Sequence, residues 1–223
     1  MEFIRTTGWE RGIKDLTARL TRELKADKKV LWLIGGGSNI EASVKVMAAL
    51  PEEETKNLSI FMTDERYGDV GHIHSNSKQL VEADFQPKEA IFVPMLQPGF
   101  SMDETQERYG QALERAIDHA DIVIAQSGIG ADGHIAGILP HSPAVHATGW
   151  VTGYQAPNYL RMTMTFDALR RIDAAYYMAF GEDKRAALTR LRNEAVPLEE
   201  QPSQILKELS EAYVYNDQIG DKT

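Results

Sequence analysis

A continuous apolar run that ends directly at a glycine cluster limits how this chain can fold. Residues 30–34 read Val-Leu-Trp-Leu-Ile, which is typical of a strand buried on both faces of a parallel sheet. Residues 35–38 follow as Gly-Gly-Gly-Ser, and residues 39–50 carry apolar side chains at helical spacing until Pro51. A strand, a glycine turn and a helix in this order form the first βα unit of an α/β protein.

Strands and helices alternate in the same way along the rest of the chain. Further strands are predicted at residues 58–62, 91–93, 122–125, 161–166 and 174–180, with an edge strand at 212–215. Helices are predicted at residues 9–26, 75–85, 101–119, 181–193 and 204–209. Ser75 is expected to cap one of them, and Ser101 with Glu104 forms a capping box for another. We therefore predict one α/β domain over residues 1–223, an open, mainly parallel sheet with helices on both faces, as in Rossmann-like folds.

Composition excludes several classes of function. The formal net charge is −9, which argues against nucleic acid and anionic membranes as partners, since both require a basic surface. No apolar run approaches the roughly 18 residues that would span a bilayer, so we expect a soluble cytoplasmic protein. The chain has no cysteine, which excludes disulfides and thiolate chemistry. A small phosphorylated ligand remains compatible with this charge, and no pattern in the sequence predicts an oligomeric state.

The segment whose residues are best suited to catalysis follows the strand at 122–125. Residues 128–134 read Gly-Ile-Gly-Ala-Asp-Gly-His, which contains the Gly-x-Gly-x-x-Gly pattern of dinucleotide-binding turns. That fold also needs an acidic residue about 20 residues further on to bind the ribose. Residues 134–166 contain no Asp or Glu, so we interpret the segment as a catalytic loop. His134 is the natural general base near neutral pH, and Asp132 either orients it or caps the loop by accepting backbone N–H groups.

Two other strand ends carry groups suited to an anion. Residues 36–38 lie where backbone N–H groups and the helix dipole favour a phosphate, although Ser38 could instead cap the helix. Residues 64–66, Asp-Glu-Arg, follow the second strand. Arg66 can grip a phosphate with its guanidinium fork, or form a weak surface ion pair in an exposed turn. The Gly- and Pro-rich run 140–157 is predicted to be a long loop beside the active site.

The histidines offer a possible metal site. His72 and His74 form a His-x-His pattern, which can bind zinc in a strand or loop. Histidines in loops are more often simply solvated, and no further ligand spacing accompanies this pair. We therefore predict no metal site.

Three motifs in their order resemble the superfamily of 6-phosphogluconolactonases and glucosamine-6-phosphate deaminases. They are Gly36-Gly37-Ser38 after the first strand, Asp64-Glu65 after the second, and the loop from Gly128 to His134. The resemblance covers about residues 30–195. It implies the α/β fold of that superfamily and a phosphorylated sugar as ligand.

The motifs are more similar to the lactonase branch than to the deaminase branch. The lactonase-like segments are Asp64-Glu65-Arg66 followed by His72 and Ser75-Asn76, the Arg-x-Thr-x-Thr strand from Arg161, and Gly181-x-x-Lys184. The deaminase pattern has a catalytic Glu five residues after the loop histidine. This chain has Leu139 there, before Pro140. The resemblance therefore implies hydrolysis of 6-phospho-D-glucono-1,5-lactone.

The resemblance also implies roles for individual residues. His134 would be the general base for an attacking water, with Asp132 as its partner, and loop amides around Gly130 to Gly133 are candidates for stabilising the oxyanion, although the sequence does not place them. The expected ligand-binding residues are Gly36, Gly37, Ser38, Asp64, Arg66, Asn76, Gly130, Arg161 and Lys184. Asp64 is expected to position Arg66 or a substrate hydroxyl. No cofactor or metal is expected, because a lactone is already an activated ester.

The rim of the expected site departs from the family pattern. Asn39-Ile40 replaces Thr-Pro, His74 replaces an Asp, residues 137–140 replace Ser-Leu-Phe-Pro, and residues 156–159 replace a basic, Pro-rich run. Two alternatives therefore stay open: a glucosamine-6-phosphate deaminase-like enzyme, and a non-catalytic sugar-phosphate sensor of the same fold. The roughly 30 residues before the first strand are expected to hold one helix and no DNA-binding module.

Overall fold

The computed structural model describes residues 1–220 of the chain. The last three residues of the predicted domain 1–223 lie outside the described residues, and its extent stays a prediction. The strands are β1 (Glu2–Arg5), β2 (Val30–Ile34), β3 (Leu58–Met62), β4 (Asp64–Arg66), β5 (Ile91–Val93), β6 (Ile122–Ser127), β7 (Val151–Gln155), β8 (Leu160–Met164), β9 (Ala174–Met178) and β10 (Glu211–Asn216). The helices are α1 (Glu10–Lys25), α2 (Ile40–Ala49), α3 (Asn76–Glu82), α4 (Met102–His119), α5 (Phe166–Leu169) and α6 (Arg185–Asn193).

Seven strands form one parallel sheet in the order β1-β10-β9-β6-β2-β3-β5. Every residue of β2, β6 and β9 is buried, and side chains alternate between the two faces of a strand, so both faces of the sheet centre are covered. The largest side chain of this core is Trp32, in the middle of β2. The predicted parallel α/β sheet is therefore confirmed.

The strand order reverses between β2 and β6. From β2 the chain moves outward through β3 to β5, and it then returns to β6 on the other side of β2. Open α/β sheets bind their ligands in the crevice that such a reversal leaves at the carboxyl ends of the strands. The glycine turn after β2 and the loop after β6 both begin at this crevice.

A second, antiparallel sheet of order β4-β8-β7 was not predicted. The run 140–157 was predicted to be a long loop, but it contains a 3-10 turn at Pro143–His146 and the strand β7. This prediction was wrong because β7 has a glycine at its centre, Gly153, and it gains its hydrogen bonds from β8. Because those bonds depend on the tertiary fold, the sequence of β7 shows only a weak local signal for a strand.

The chain ends also differ from expectation. The strand at 212–215 was predicted to be an edge strand, but β10 pairs with both β9 and β1, and β1 forms the edge. We did not expect β1 because it has only four residues, of which two are apolar. The helix predicted at 204–209 is a 3-10 segment at Pro202–Glu208, and residues 182–184 form a separate 3-10 turn before α6.

The predicted caps of two helices are confirmed. The Ser75 hydroxyl accepts a hydrogen bond from the amide of Lys78 at the start of α3, and Ser101 and Glu104 form both bonds of a capping box at the start of α4. In the described part of the chain, no helix combines the length and apolar character that crossing a bilayer requires.

Candidate active site

A polar cleft of about 220 Å³ opens at the carboxyl ends of β2, β6 and β9. The structure brings all nine expected ligand-binding residues and His134 to this cleft, while Asp132 lines an adjoining cleft together with His134, Arg161 and Lys184. The residues come from five separate parts of the chain: the turn after β2, the segment 64–76, the loop after β6, β8, and the segment after β9. Most of them meet because parallel strands direct their carboxyl ends to one edge. The site is therefore built at the point where the strand order reverses.

Asp132 and His134 form a hydrogen-bonded pair in the loop after β6. Oδ1 of Asp132 lies 2.6 Å from Nδ1 of His134 and also accepts the backbone N–H of His134 at 3.1 Å. Partial burial alone would raise the pKa of Asp132, but the hydrogen bonds and charge of His134 outweigh it and lower this pKa to about 2. An ionised carboxylate can only accept, so in the neutral form of the imidazole the proton lies on Nδ1 and the lone pair on Nε2. Both expected alternatives for Asp132, orientation of the imidazole and capping of the loop, are present in the structure.

Gly130 makes this pair possible. A Cβ at Gly130 would lie 2.0 Å from Nδ1 of His134 and 2.5 Å from Oδ1 of Asp132, closer than any side chain can approach. The Gly130 amide donates to the carbonyl of His134 and the Gly133 amide donates to the carbonyl of Gly130. The loop is therefore a closed turn wrapped around the imidazole.

These hydrogen bonds narrow one expectation. Loop amides around Gly130 to Gly133 were candidates for stabilising an oxyanion, and those of Gly130 and Gly133 are already used within the loop. The role of the other amides of this loop stays a prediction. The loop is also held from outside, because the amide of Ser203 donates to the carbonyl of Gly133 and the buried side chain of Gln201 packs beside Gly133. Sequence reasoning missed this support, since residues 201–203 are remote in the chain and carry no motif.

The glycine turn after β2 begins the helix α2 through a 3-10 turn at Gly37–Asn39. Ser38 was considered as a helix cap, but no side-chain cap is present, and its exposed side chain lies at the cleft. A Cβ at Gly36 would lie 2.2 Å from the Asn76 side chain, so this glycine lets the start of α3 approach the turn. The turn thus presents backbone amides at a helix N-terminus to the cleft.

A buried amide network that sequence reasoning missed holds this turn in place. Nε2 of Gln126 donates to Oδ1 of Asn39 at 2.8 Å, and the hydroxyl of Ser43 donates to Oε1 of Gln126 at 2.6 Å. Nδ2 of Asn39 donates to the carbonyl of Met178 at 3.3 Å. The turn is thereby tied to the carboxyl ends of β6 and β9. A glutamine at the end of an apolar strand was the one signal for it.

Asp64 lies beside Arg161 and Asn76. Oδ2 of Asp64 is 4.0 Å from Nη1 of Arg161, and its backbone carbonyl accepts from Nδ2 of Asn76 at 3.0 Å. Asp64 was expected to position Arg66 or a substrate hydroxyl. Asp64 and Arg66 are two positions apart and share one face of β4, but in the described residues the ion-pair contact of Asp64 is with Arg161 and not with Arg66. The role toward a substrate hydroxyl stays a prediction. Oδ1 of Asn76 is buried and has no hydrogen-bond partner within residues 1–220, which leaves an acceptor for a ligand hydroxyl.

Glu65 is fully buried and was overlooked as a site residue. Its carboxylate accepts hydrogen bonds from the hydroxyl of Ser75 and from the amides of Arg66, Asn76 and Ser77, at 2.6–3.0 Å. A buried carboxylate is stable only when it is satisfied in this way. Glu65 thus fixes the start of α3, and with it Asn76, against β4.

Arg66 and Arg161 are opposite partners in the antiparallel pair of β4 and β8. Both side chains line the cleft, and the Nε atom of each is buried without a hydrogen-bond partner in the described residues. Like charges directly opposite each other destabilise a sheet. Lys184 adds a third positive charge at the same cleft, with Nζ 3.1 Å from Oδ2 of Asp183. The arrangement is that of a site for an anion.

An acid–base pair next to a cationic cleft at the reversal point of an α/β sheet defines a protein that acts on a small anionic ligand. The chain belongs to the family of glucosamine-6-phosphate isomerases and 6-phosphogluconolactonases, whose model matches residues 9–214. A 6-phosphogluconolactonase of Synechocystis is 24% identical over 192 residues, which cover 80% of this chain and 78% of that protein. A 6-phosphogluconolactonase of Neisseria meningitidis serogroup A is 30% identical over 145 residues, covering 59% of this chain and 61% of that protein.

The fold is also found in solved structures. The crystal structure of a 6-phosphogluconolactonase from Shewanella baltica superposes with a TM-score of 0.79 at 18% identity and covers 97% of both chains. At this identity the likeness establishes the fold alone. The family expected from the three ordered motifs is therefore confirmed.

Proposed function

We propose that this protein hydrolyses 6-phospho-D-glucono-1,5-lactone to 6-phosphogluconate, a reaction of the pentose phosphate pathway. The hydrogen-bonded pair of Asp132 and His134, at the edge of a cleft with three cationic side chains, carries this proposal. The names of the related proteins support it. Such a pair supplies a base for water, and the cations suit a phosphorylated substrate.

In this proposal His134 first acts as a general base and then as a general acid. Its Nε2 takes a proton from water as the water oxygen bonds to the lactone carbonyl carbon. The tetrahedral intermediate then collapses, the bond from this carbon to the ring oxygen breaks, and the imidazolium returns the proton to that oxygen. Acid–base catalysis of this kind contributes about 10²–10⁴-fold. Asp132 accepts from Nδ1 throughout and stabilises the imidazolium.

The phosphate would lie between the glycine turn and the three cations. Gly36, Gly37 and Ser38 offer backbone amides and a hydroxyl, while Arg66, Arg161 and Lys184 offer charge. Asp64, Asn76 and Gly130 would face the sugar. The unpaired Nε atoms of the two arginines support this assignment, since a phosphate oxygen is the acceptor that they lack.

The test is hydrolysis of 6-phosphogluconolactone, followed in a pH-stat against the spontaneous reaction. We expect turnover well above the blank, loss of turnover in the His134→Ala variant, and retained binding of 6-phosphogluconate by that variant. Hydrolysis at an unchanged rate in the variant would contradict the role of His134. Ammonia release from glucosamine 6-phosphate would favour the deaminase-like alternative, although Leu139 stands where that alternative needs an acid. Ligand binding without either reaction would favour a sensor.

A further inference from the structure

Tyr159 lies in the turn that closes the hairpin of β7 and β8, directly beside Arg66. The Ala156 amide donates to the Tyr159 carbonyl at 2.9 Å, which closes this turn, and residues 156–158 of the turn line the cleft that also contains Asp132 and His134. The guanidinium carbon of Arg66 lies 5.7 Å from the centroid of the Tyr159 ring. This separation is within the range of a cation–π interaction.

The loop between β4 and α3 supports the same arginine from a second side. Nη1 of Arg66 donates to the backbone carbonyl of His74 at 2.9 Å. The His74 ring packs on Tyr159 with centroids 4.8 Å apart, and the tyrosine hydroxyl is 3.5 Å from Nδ1 of His74. Nδ1 of His72 accepts from the His74 amide, so its Nε2 carries the proton and donates to the Arg66 carbonyl at 2.8 Å. Neither ring nitrogen of His72 is left for a metal ion.

These contacts offset the repulsion between two arginines that the sheet places opposite each other. Arg66 has Arg161 as its direct cross-strand partner, and an unrestrained arginine would turn away from this like charge into solvent. The Tyr159 ring attracts the guanidinium, and the His74 carbonyl fixes one of its nitrogens. Arg66 therefore remains at the cleft while its buried Nε stays unpaired.

We propose that Tyr159, packed against the His74 ring, is a positioning residue that holds the Arg66 guanidinium opposite Arg161 for binding the anionic group of the substrate. This inference rests on the proposed function, because it takes a sugar phosphate as the ligand. Tyr159 itself needs no contact with the substrate. Its effect passes through Arg66.

The experiment is a double-mutant cycle between Tyr159 and Arg66, read out as the affinity for 6-phosphogluconate by calorimetry and as kcat and KM for the lactone. Tyr159→Ala should weaken binding and raise KM by roughly three- to tenfold, the range of a partly exposed cation–π contact. It should leave kcat within about twofold, since ground and transition states share the lost interaction. Tyr159→Phe keeps the ring and should bind within about twofold of the unaltered protein. Tyr159→Ala should have no further effect once Arg66→Ala is present.

Tyr213→Ala is the matched control. Tyr213 is also half-buried, and its ring packs on Tyr176 and its hydroxyl donates to Glu211, in β10. This variant should leave the affinity unchanged. If Tyr159→Ala unfolds the protein, Tyr159→Leu, which removes the aromatic ring, can be compared with Tyr159→Phe, which keeps it.

Additive losses in the double variant, or a Tyr159→Ala variant that lowers kcat at constant KM, would overturn the positioning role. Unchanged affinity in Arg66→Ala would overturn it as well, together with the placement of the anion. The calorimetric arm needs no turnover. Coupling between Tyr159 and Arg66 without any lactone hydrolysis would therefore uphold the positioning role and reject the proposed function alone.

Discussion

Nδ1 of His134 occupies space that only a glycine at position 130 leaves open, since a Cβ there would lie 2.0 Å away. The clash would involve a ring that is held by Asp132, and the loop backbone around it is closed by its own hydrogen bonds. Neither partner can move without breaking the pair.

Gly130→Ala should therefore inactivate a protein that still folds. We expect kcat for the lactone to fall at least about 100-fold, because the general base loses its position. Gly110→Ala is the control, since a Cβ there would meet only Trp150, at an ordinary 3.7 Å. Circular dichroism and thermal unfolding should show both variants folded. Full activity in Gly130→Ala would mean that the pair of Asp132 and His134 does not determine turnover.

Acid should remove a contribution of Asp132 to stability. Its pKa of about 2 in the folded protein lies below the value of about 3.9 in an unfolded chain, so its interaction with His134 is fully present above about pH 4. This contribution is lost as the pH falls through about 2. The measurement is the urea unfolding free energy from pH 5 to pH 2, which should fall more steeply for the unaltered protein than for Asp132→Asn. Parallel curves would contradict the ion pair.

Glu65→Gln should destabilise the fold and also weaken ligand binding. The amide that replaces one carboxylate oxygen would face donors from Ser75, Ser77 or Asn76, and an unsatisfied buried donor costs about 1–3 kcal/mol. Asn76 would lose its position at the cleft as well. Glu82→Gln, on the exposed side of the same helix, should change the unfolding free energy by less than about 0.5 kcal/mol. Equal effects of the two substitutions in denaturant titrations would show that Glu65 does not anchor α3.

Lys184→Ala should weaken binding of the phosphate-bearing product by roughly tenfold, with kcat little changed, because the ammonium contributes to ground and transition states alike. Raising the salt concentration should reduce the difference between the variant and the unaltered protein. Lys45→Ala, at an exposed ion pair with Glu41, is the charge-matched control and should bind normally. An inhibition constant that does not respond to Lys184→Ala would place the phosphate elsewhere.

The parts of the fold that follow from local chemistry were predictable. The buried strands β2, β3 and β6 are apolar runs that end at glycine or polar residues, and the caps Ser75 and Ser101 satisfy amides in their own helix turn. The short strands β1, β4 and β7 were missed, because their order comes from partners far away in the chain. The same reason explains the edge assigned wrongly to β10.

The same distinction between local and long-range interactions holds for the site residues. Asp132 and His134 are two residues apart, so their pairing could be read from spacing, and the structure brings the expected anion-binding residues to one cleft. The residues that hold the site, Glu65, Asn39 and Gln126, were not foreseen. Each works through a buried hydrogen bond that spacing alone does not reveal. The contact between Asp64 and Arg161 was also not foreseen, since it depends on the pairing of β4 with β8.

The reversal of strand order between β2 and β6 divides the site between two consecutive segments of the chain. Residues up to β5 supply the glycine turn, Arg66 and Asn76, whereas the acid–base pair, Arg161 and Lys184 come from β6 onward. Neither segment contains all three cationic side chains together with the glycine turn, and only the second segment contains the base. Cutting the chain in the exposed turn at Gln97–Gly99 would produce two fragments without activity, and turnover would report their reassembly. The protein is thus suited to a split-enzyme reporter, in which the joining of β2 to β6 completes the site.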